Sequence, residues 1–167
     1  MKTLACFLLL SSLGLAQQVT VESDSTVDFS QYHTFLIRNG QLNSKNPALN
    51  SELVRKQIET DIERDLTARG LVKSPTLKAD LNIRYTLGTQ RKVETDAYPA
   101  GWRGWGTRVV RVPYSEGTLV IDLRDPKTMS LVWRSIARED KSDASKIEGK
   151  LNDMVRKSLE KYPPKPK

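Results

Sequence analysis

The strongest constraint on this chain is a pair of stretches whose apolar residues recur at every second position. Within residues 79–87, Leu81, Ile83, Tyr85 and Leu87 share one parity, while Asn82, Arg84 and Thr86 take the other. Residues 118–123 repeat the pattern, with Leu119, Ile121 and Leu123 set against Thr118, Val120 and Asp122. Successive side chains of a strand point to opposite faces, so both stretches read as strands of a sheet with one dry and one wet face. A dry face of that kind must be covered, and helices with an apolar stripe are the obvious cover.

Two segments qualify. Over residues 51–69, Val54, Ile58, Ile62 and Leu66 recur every four positions, and Gly70 is placed to end the helix in a left-handed conformation. The stripe is narrow and Asp65 intrudes near its edge, which suits a helix lying across a sheet. A second helix is expected to begin near Ser145, which stands three residues before Glu148 in a capping-box spacing. Ala144, Ile147, Leu151, Met154, Val155, Leu159 and Tyr162 then share a broad face, and Pro163-Pro164 ends it.

Residues 19–22, 34–38, 71–73 and 131–137 read as further strands. The last pairs with 118–123 through a hairpin loop at 125–130, rich in turn formers. Placing Leu123 opposite Trp133 sets Ile121 against Ser135 and Leu119 against Ala137 on the inner face, and Asp122 against Arg134 outside. Residues 39–50 read as a surface connection in which Asn46-Pro47 offers a cap and first position of a helix. The expected fold is α+β: a mostly antiparallel sheet of about five or six strands with two amphipathic helices packed on one face.

The N-terminus sets the expected compartment. Met1-Lys2 gives a positive start, Leu4 to Leu10 an apolar stretch that continues to Leu15, and Gly14 and Ala16 small residues before a cut at Gln17. This is the pattern of a cleaved secretory signal peptide over residues 1–16, too short to span a bilayer comfortably. The single cysteine, Cys6, leaves with it, so the mature chain has no disulfide, cysteine nucleophile or cysteine-ligated zinc. Of 27 Lys and Arg, Lys2 also leaves, and the remaining 26 against 20 acids give a net charge of +6. The basic residues are scattered among acidic ones, a mixed-charge surface for which nucleic acid is not an expected partner. Residues 17–162 are expected to form one domain, with a Gly/Trp-rich loop at 88–116, followed by a Pro/Lys tail at 163–167.

Several residues, in order, resemble a known family: Asp24, Phe29, Tyr32-His33-Thr34-Phe35, the helix ending at Gly70, Ala79-Asp80-Leu81, Gly117 to Asp122, Val132-Trp133-Arg134 and Tyr162-Pro163-Pro164. With the Gly/Trp-rich segment before Gly117, this set is similar to the bacterial domain of unknown function family DUF4136. The resemblance covers nearly the whole mature chain. It implies an exported, often lipid-anchored envelope protein of mixed α/β structure, and supplies no catalytic residues. Lipid-anchored members need a cysteine after the apolar core, whereas Cys6 precedes most of it. A soluble periplasmic or secreted form is therefore expected.

Candidate chemistry is sparse. His33 is the only histidine and has neither a second metal ligand of its kind nor a serine motif beside it. The carboxylates Asp24, Asp28, Asp80, Glu116, Asp122 and Asp125 offer acid-base pairs in principle, but turn and strand-end roles explain them, and Asp122 with Arg134 reads as a cross-strand ion pair. No cofactor is implied. Trp102, Arg103, Trp105 and Arg108 sit on a glycine-rich backbone, where aromatic and guanidinium groups can stack on planar ligands; the bland alternative is a cover folded onto the sheet. The resulting expectation is a non-enzymatic periplasmic or envelope-associated binding domain. Its partner would be an envelope polymer, anionic lipid headgroups or another envelope protein. The alternatives are a carboxylate-dependent hydrolase acting on envelope material and a structural subunit of an envelope assembly.

Overall fold

The computed structural model describes residues 18–38, 40–44, 46–100, 106–141 and 144–164, with side chains described throughout these except at 90–116 and 140–145. The expected signal peptide lies outside them. Among the described residues seven strands form one sheet: β1 (Gln18–Ser23), β2 (Thr34–Ile37), β3 (Gln41–Asn43), β4 (Val72–Lys73), β5 (Leu81–Ala100), β6 (Gly106–Arg124) and β7 (Leu131–Lys141). Their order is β1-β7-β6-β5-β2-β4, with β3 pairing β5 beyond the end of β2. The long central pairings are antiparallel, and the short strands β2, β3 and β4 add in parallel. The α+β fold with a largely antiparallel sheet is thus as expected. The extra strand, β3, falls in the stretch read as a surface connection, because three residues are too few to show a period.

The register matches the one read from parity: Leu123 faces Trp133, Ile121 faces Ser135, Leu119 faces Ala137 and Asp122 faces Arg134. A bulge follows, since Arg124 pairs with Leu131, leaving Val132 as an extra residue that is itself buried. Leu81, Ile83, Tyr85, Leu87, Leu119, Ile121, Leu123, Trp133 and Ala137 are all buried on the dry face.

Helix α1 (Glu52–Thr67) buries Val54, Ile58, Ile62 and Leu66 there. Ser51 caps it by accepting a hydrogen bond from the Val54 amide, and Gly70, at φ 89°, ends it in the left-handed region that its missing side chain makes accessible. Asn46 caps a single 3-10 turn, Pro47–Leu49, and not this helix.

The C-terminal helix is not continuous as expected but broken into α2 (Ala144–Glu148) and α3 (Leu151–Leu159). Gly149 is a poor helix former, and the Lys150 amide bonds back to Ile147, closing one turn before the next begins. Ser145 falls within α2 and not ahead of it, so the capping role read for it is displaced. α2 comes so close to β6 that a Cβ on Gly117 would lie 2.7 Å from Cγ2 of Ile147. That approach explains why glycine stands mid-strand there.

The loop expected over 88–116 is corrected by the structure. β5 and β6 stay paired from Asn82 and Arg124 out to Ala100 and Gly106. The glycines and prolines suggested irregularity, but Thr89 to Tyr98 contains no glycine, and Val109, Val110 and Val112 favour strand. Pro99 and Pro113 are tolerated because each outer strand edge of a two-stranded ribbon has no partner awaiting an N–H.

Candidate functional site

Two features stand outside the core, and the first is that ribbon. β7 ends at Lys141, opposite Ser115, and β3 reaches only Gly88. Beyond them β5 and β6 pair with each other alone for nine more residue pairs, Lys92↔Tyr114 to Ala100↔Gly106. At 3.4 Å per residue this is a projection of about 30 Å. Among the described residues, no other strand pairs with either outer edge, so a row of backbone donors and acceptors is left along each. Arg108 lies in the ribbon opposite Tyr98. Trp102, Arg103 and Trp105 belong to the segment joining β5 to β6 and lie outside the described residues.

The second feature is the sheet face away from the helices. One row of paired positions runs across four strands as Arg84, Asp122, Arg134 and Glu22, alternating in charge. Asp122 gives both oxygens to Arg134, with Nε–Oδ1 and Nη2–Oδ2 both 2.7 Å. Those hydrogen bonds raise the pKa of the Arg134 guanidinium further, against the opposing effect of burial. Beside this pair lies a shallow cavity of about 270 Å³ lined by Gln41, Arg84, Thr86, Asp122 and Arg124. The sequence placed Arg84 and Asp122 on the wet face. It did not show Gln41 and Arg124 joining them, which depends on the β3 pairing and on the bulge.

The acids considered for hydrolysis whose side chains are described all have hydrogen-bond partners. Asp24 accepts from the Thr26 hydroxyl and amide, and Asp28 from those of Ser30. Asp80 accepts from the Thr34 hydroxyl and from the His33 and Thr34 amides. In all three the neighbouring hydroxyl, then the amides, hold the carboxyl below its ordinary range, the reverse of what a general acid needs. Asp125 accepts from the Lys127 and Thr128 amides in the hairpin turn and from the Tyr32 hydroxyl. The Glu116 side chain lies outside those described. His33 is exposed, and its part is played by its backbone amide. Among the described residues no group of three or more His, Cys, Asp or Glu side chains is arranged to hold a metal ion.

A buried polar group was only half legible. Asp61 and Asp65, one turn apart on α1, are both buried; Arg64 bonds to each at 2.7 and 2.9 Å, and Asn152 of α3 donates to Asp61 at 2.9 Å. Asp65 stood out in the sequence as an intruder near the stripe. Asp61 did not, because its burial comes from α3.

Four of the residues that carried the resemblance, Phe29, Tyr32, Trp133 and Tyr162, meet at the sheet end opposite the ribbon. Phe29 meets Tyr32 and Tyr162 edge-on at 6.0 and 5.8 Å, and Tyr162 meets Trp133 at 5.8 Å. A model of the family described as a domain of unknown function, DUF4136, matches residues 19–164. The chain belongs to that family. No curated protein matches this DUF4136 chain in sequence.

Among solved structures, the DUF4136 chain is similar to a PDZ domain protein from Parabacteroides distasonis, with 20% identity and a TM-score of 0.60 over 89% of this chain and 35% of that one. It therefore spans about a third of that protein's length, and the likeness concerns the fold alone. A PelC dodecamer from Paraburkholderia phytofirmans is more distant, with 13% identity and a TM-score of 0.49 over 86% of this chain and 95% of that one. A neuraminyllactose-binding hemagglutinin homolog from Helicobacter pylori gives 13% and 0.48 over 87% and 94%.

Proposed function

We propose that this DUF4136 domain is a non-enzymatic binding module of the bacterial envelope, that the β5–β6 ribbon is its contact element, and that its partner is another envelope protein. The observation that carries the reading is the run of nine residue pairs held by no third strand among the described residues. An isolated two-stranded hairpin is marginal in water, and its open edges are ready to accept a strand from another chain. Trp102, Arg103, Trp105 and Arg108, at and near the ribbon's end, supply aromatic and guanidinium side chains of the kind enriched at interfaces. Export is supported by the signal-peptide pattern of residues 1–16. The same open edges also favour a second reading, in which the partner is a further copy of this chain and the domain is a structural subunit.

The test is site-specific photocrosslinking in the exporting cell, with a photoreactive residue at Trp102 or Arg108 and, as a body control, at the exposed Leu77. The expected result is a discrete adduct from the ribbon positions alone, whose mass separates a second copy from a different protein. Adducts from Leu77 with none from the ribbon overturn the reading. Titration of the mature protein with peptidoglycan fragments, lipopolysaccharide and anionic vesicles completes it. Saturable binding that a Trp102→Ala, Trp105→Ala variant loses would keep the ribbon and replace the protein partner by a polymer or lipid. N-terminal sequencing of the secreted or periplasmic product is expected to begin at Gln17.

A further inference from the structure

The open face of the sheet, well short of the ribbon, carries a cluster that the binding reading does not use. Arg84 and Arg124 are diagonal neighbours across β5 and β6, since Arg84 pairs with Asp122 and Asn82 with Arg124. Both line the 270 Å³ cavity together with Gln41, Thr86 and Asp122. The cavity's one carboxylate is already spent, because Arg134 takes both oxygens of Asp122. Arg84, by contrast, is exposed and makes no hydrogen bond or ion pair among the described residues. Arg124 bonds through Nη1 to the Met129 carbonyl, and its Nε is buried without a partner. Two cationic forks with donors to spare thus flank a hollow whose own negative charge is neutralised elsewhere. Thr86 and Gln41 add a hydroxyl and an amide at its rim.

We infer that this hollow is a phosphate-binding site in which Arg84 and Arg124 grip the oxyanion and Thr86 and Gln41 complete its hydrogen bonds. Guanidinium groups bind phosphate through paired, charge-assisted hydrogen bonds, and a tetrahedral oxyanion takes donors from several directions at once. Arg38 strengthens the local positive field from the end of β2, where its Nε bonds to Asn82. Glu22 lies on the far side of Arg134 and not in the cavity. The phosphate belongs to a free small molecule or to a lipid headgroup presented by a membrane.

The experiment is amide NMR of the mature protein titrated with sodium phosphate at fixed ionic strength, with sodium chloride as the reference. The expected result is saturable shifts confined to the amides of Gln41, Arg84, Thr86 and residues 120–124. In Arg84→Gln the affinity should fall by about tenfold or more, the equivalent of one lost charge-assisted pair. Because Arg84 has no partner to lose among the described residues, the variant should unfold at the wild-type temperature, and Lys146→Gln, on α2 in the helix layer, should bind as wild type. Scattered, unsaturable shifts, or equal affinity in Arg84→Gln, overturn the proposal. Sedimentation with phosphatidylglycerol vesicles then separates the sources: vesicle binding that Arg84→Gln weakens means a headgroup, and phosphate binding without vesicle binding means a soluble ligand. Neither readout involves the ribbon, so this site and the ribbon reading fail independently.

Discussion

The two halves of the β5–β6 hairpin make an instructive pair, because the same two strands are treated differently along their length. In the first half, Leu81, Ile83, Tyr85 and Leu87 face Leu123, Ile121 and Leu119 under the helices, and every one is buried. In the second half the same parity continues as Thr89, Arg91, Val93, Thr95 and Ala97, and the apolar alternation stops where β7, β3 and the helical cover stop. Burial of large apolar side chains holds the body together, at about 1.5 to 3 kcal/mol each. The sequence of the ribbon offers no such unbroken apolar row, and in the proposed reading a partner completes it.

The comparison is most readily broken by substitution in the two halves. Ile121→Ala removes a fully buried side chain and should destabilise the mature protein by about 2 to 5 kcal/mol in urea denaturation. Val110→Ala in the ribbon should change it by less than about 0.5 kcal/mol. Equal losses would mean that the ribbon is part of the core. Asp80→Ala comes next, at about 1 to 3 kcal/mol, since it strands the His33 and Thr34 amides at the body's far end.

Acidification sharpens the same point. The Thr34 hydroxyl, and after it the His33 amide, hold the Asp80 carboxyl lower in the folded than in the unfolded protein. Its contribution is therefore complete above the unfolded pKa, about 3.9, and fades as pH falls through the folded value. Asp80→Asn should flatten the loss of stability below about pH 4, measured by urea midpoints across that range. A modest effect is expected on the open face, where a double-mutant cycle on Asp122 and Arg134 should return about 0.2 to 1 kcal/mol of coupling.

How much of this was legible depends on whether a residue's surroundings come from its own segment. The parity of residues 81–87 and 118–123, the four-residue spacing of Val54 to Leu66 and the Gly70 stop are local signals, and the structure follows them. The Leu123 to Trp133 register was readable because one buried face admits one alignment. β3, the burial of Asp61 and the meeting of Gln41 with Arg124 all depend on distant chain and left no periodic trace. The ribbon was misread because glycine and proline were counted as breakers, without asking whether an unpaired edge can tolerate them. The ordered residues behind the family resemblance mark the opposite end: Phe29, Tyr32, Trp133 and Tyr162 form an aromatic cluster that packs the body. Their part is in packing the body, and the ribbon is where contact is proposed.

Amide hydrogen exchange on the purified mature protein, at a concentration where it is monomeric, tests the central claim most directly. The account predicts slow exchange for β5 and β6 amides at 81–88 and 117–124, and exchange orders of magnitude faster at 92–100 and 106–114, where no third strand among the described residues supports the pairing. Equal protection along both strands would show that the ribbon stands by itself, and would contradict the claim that it is built to be completed by a partner.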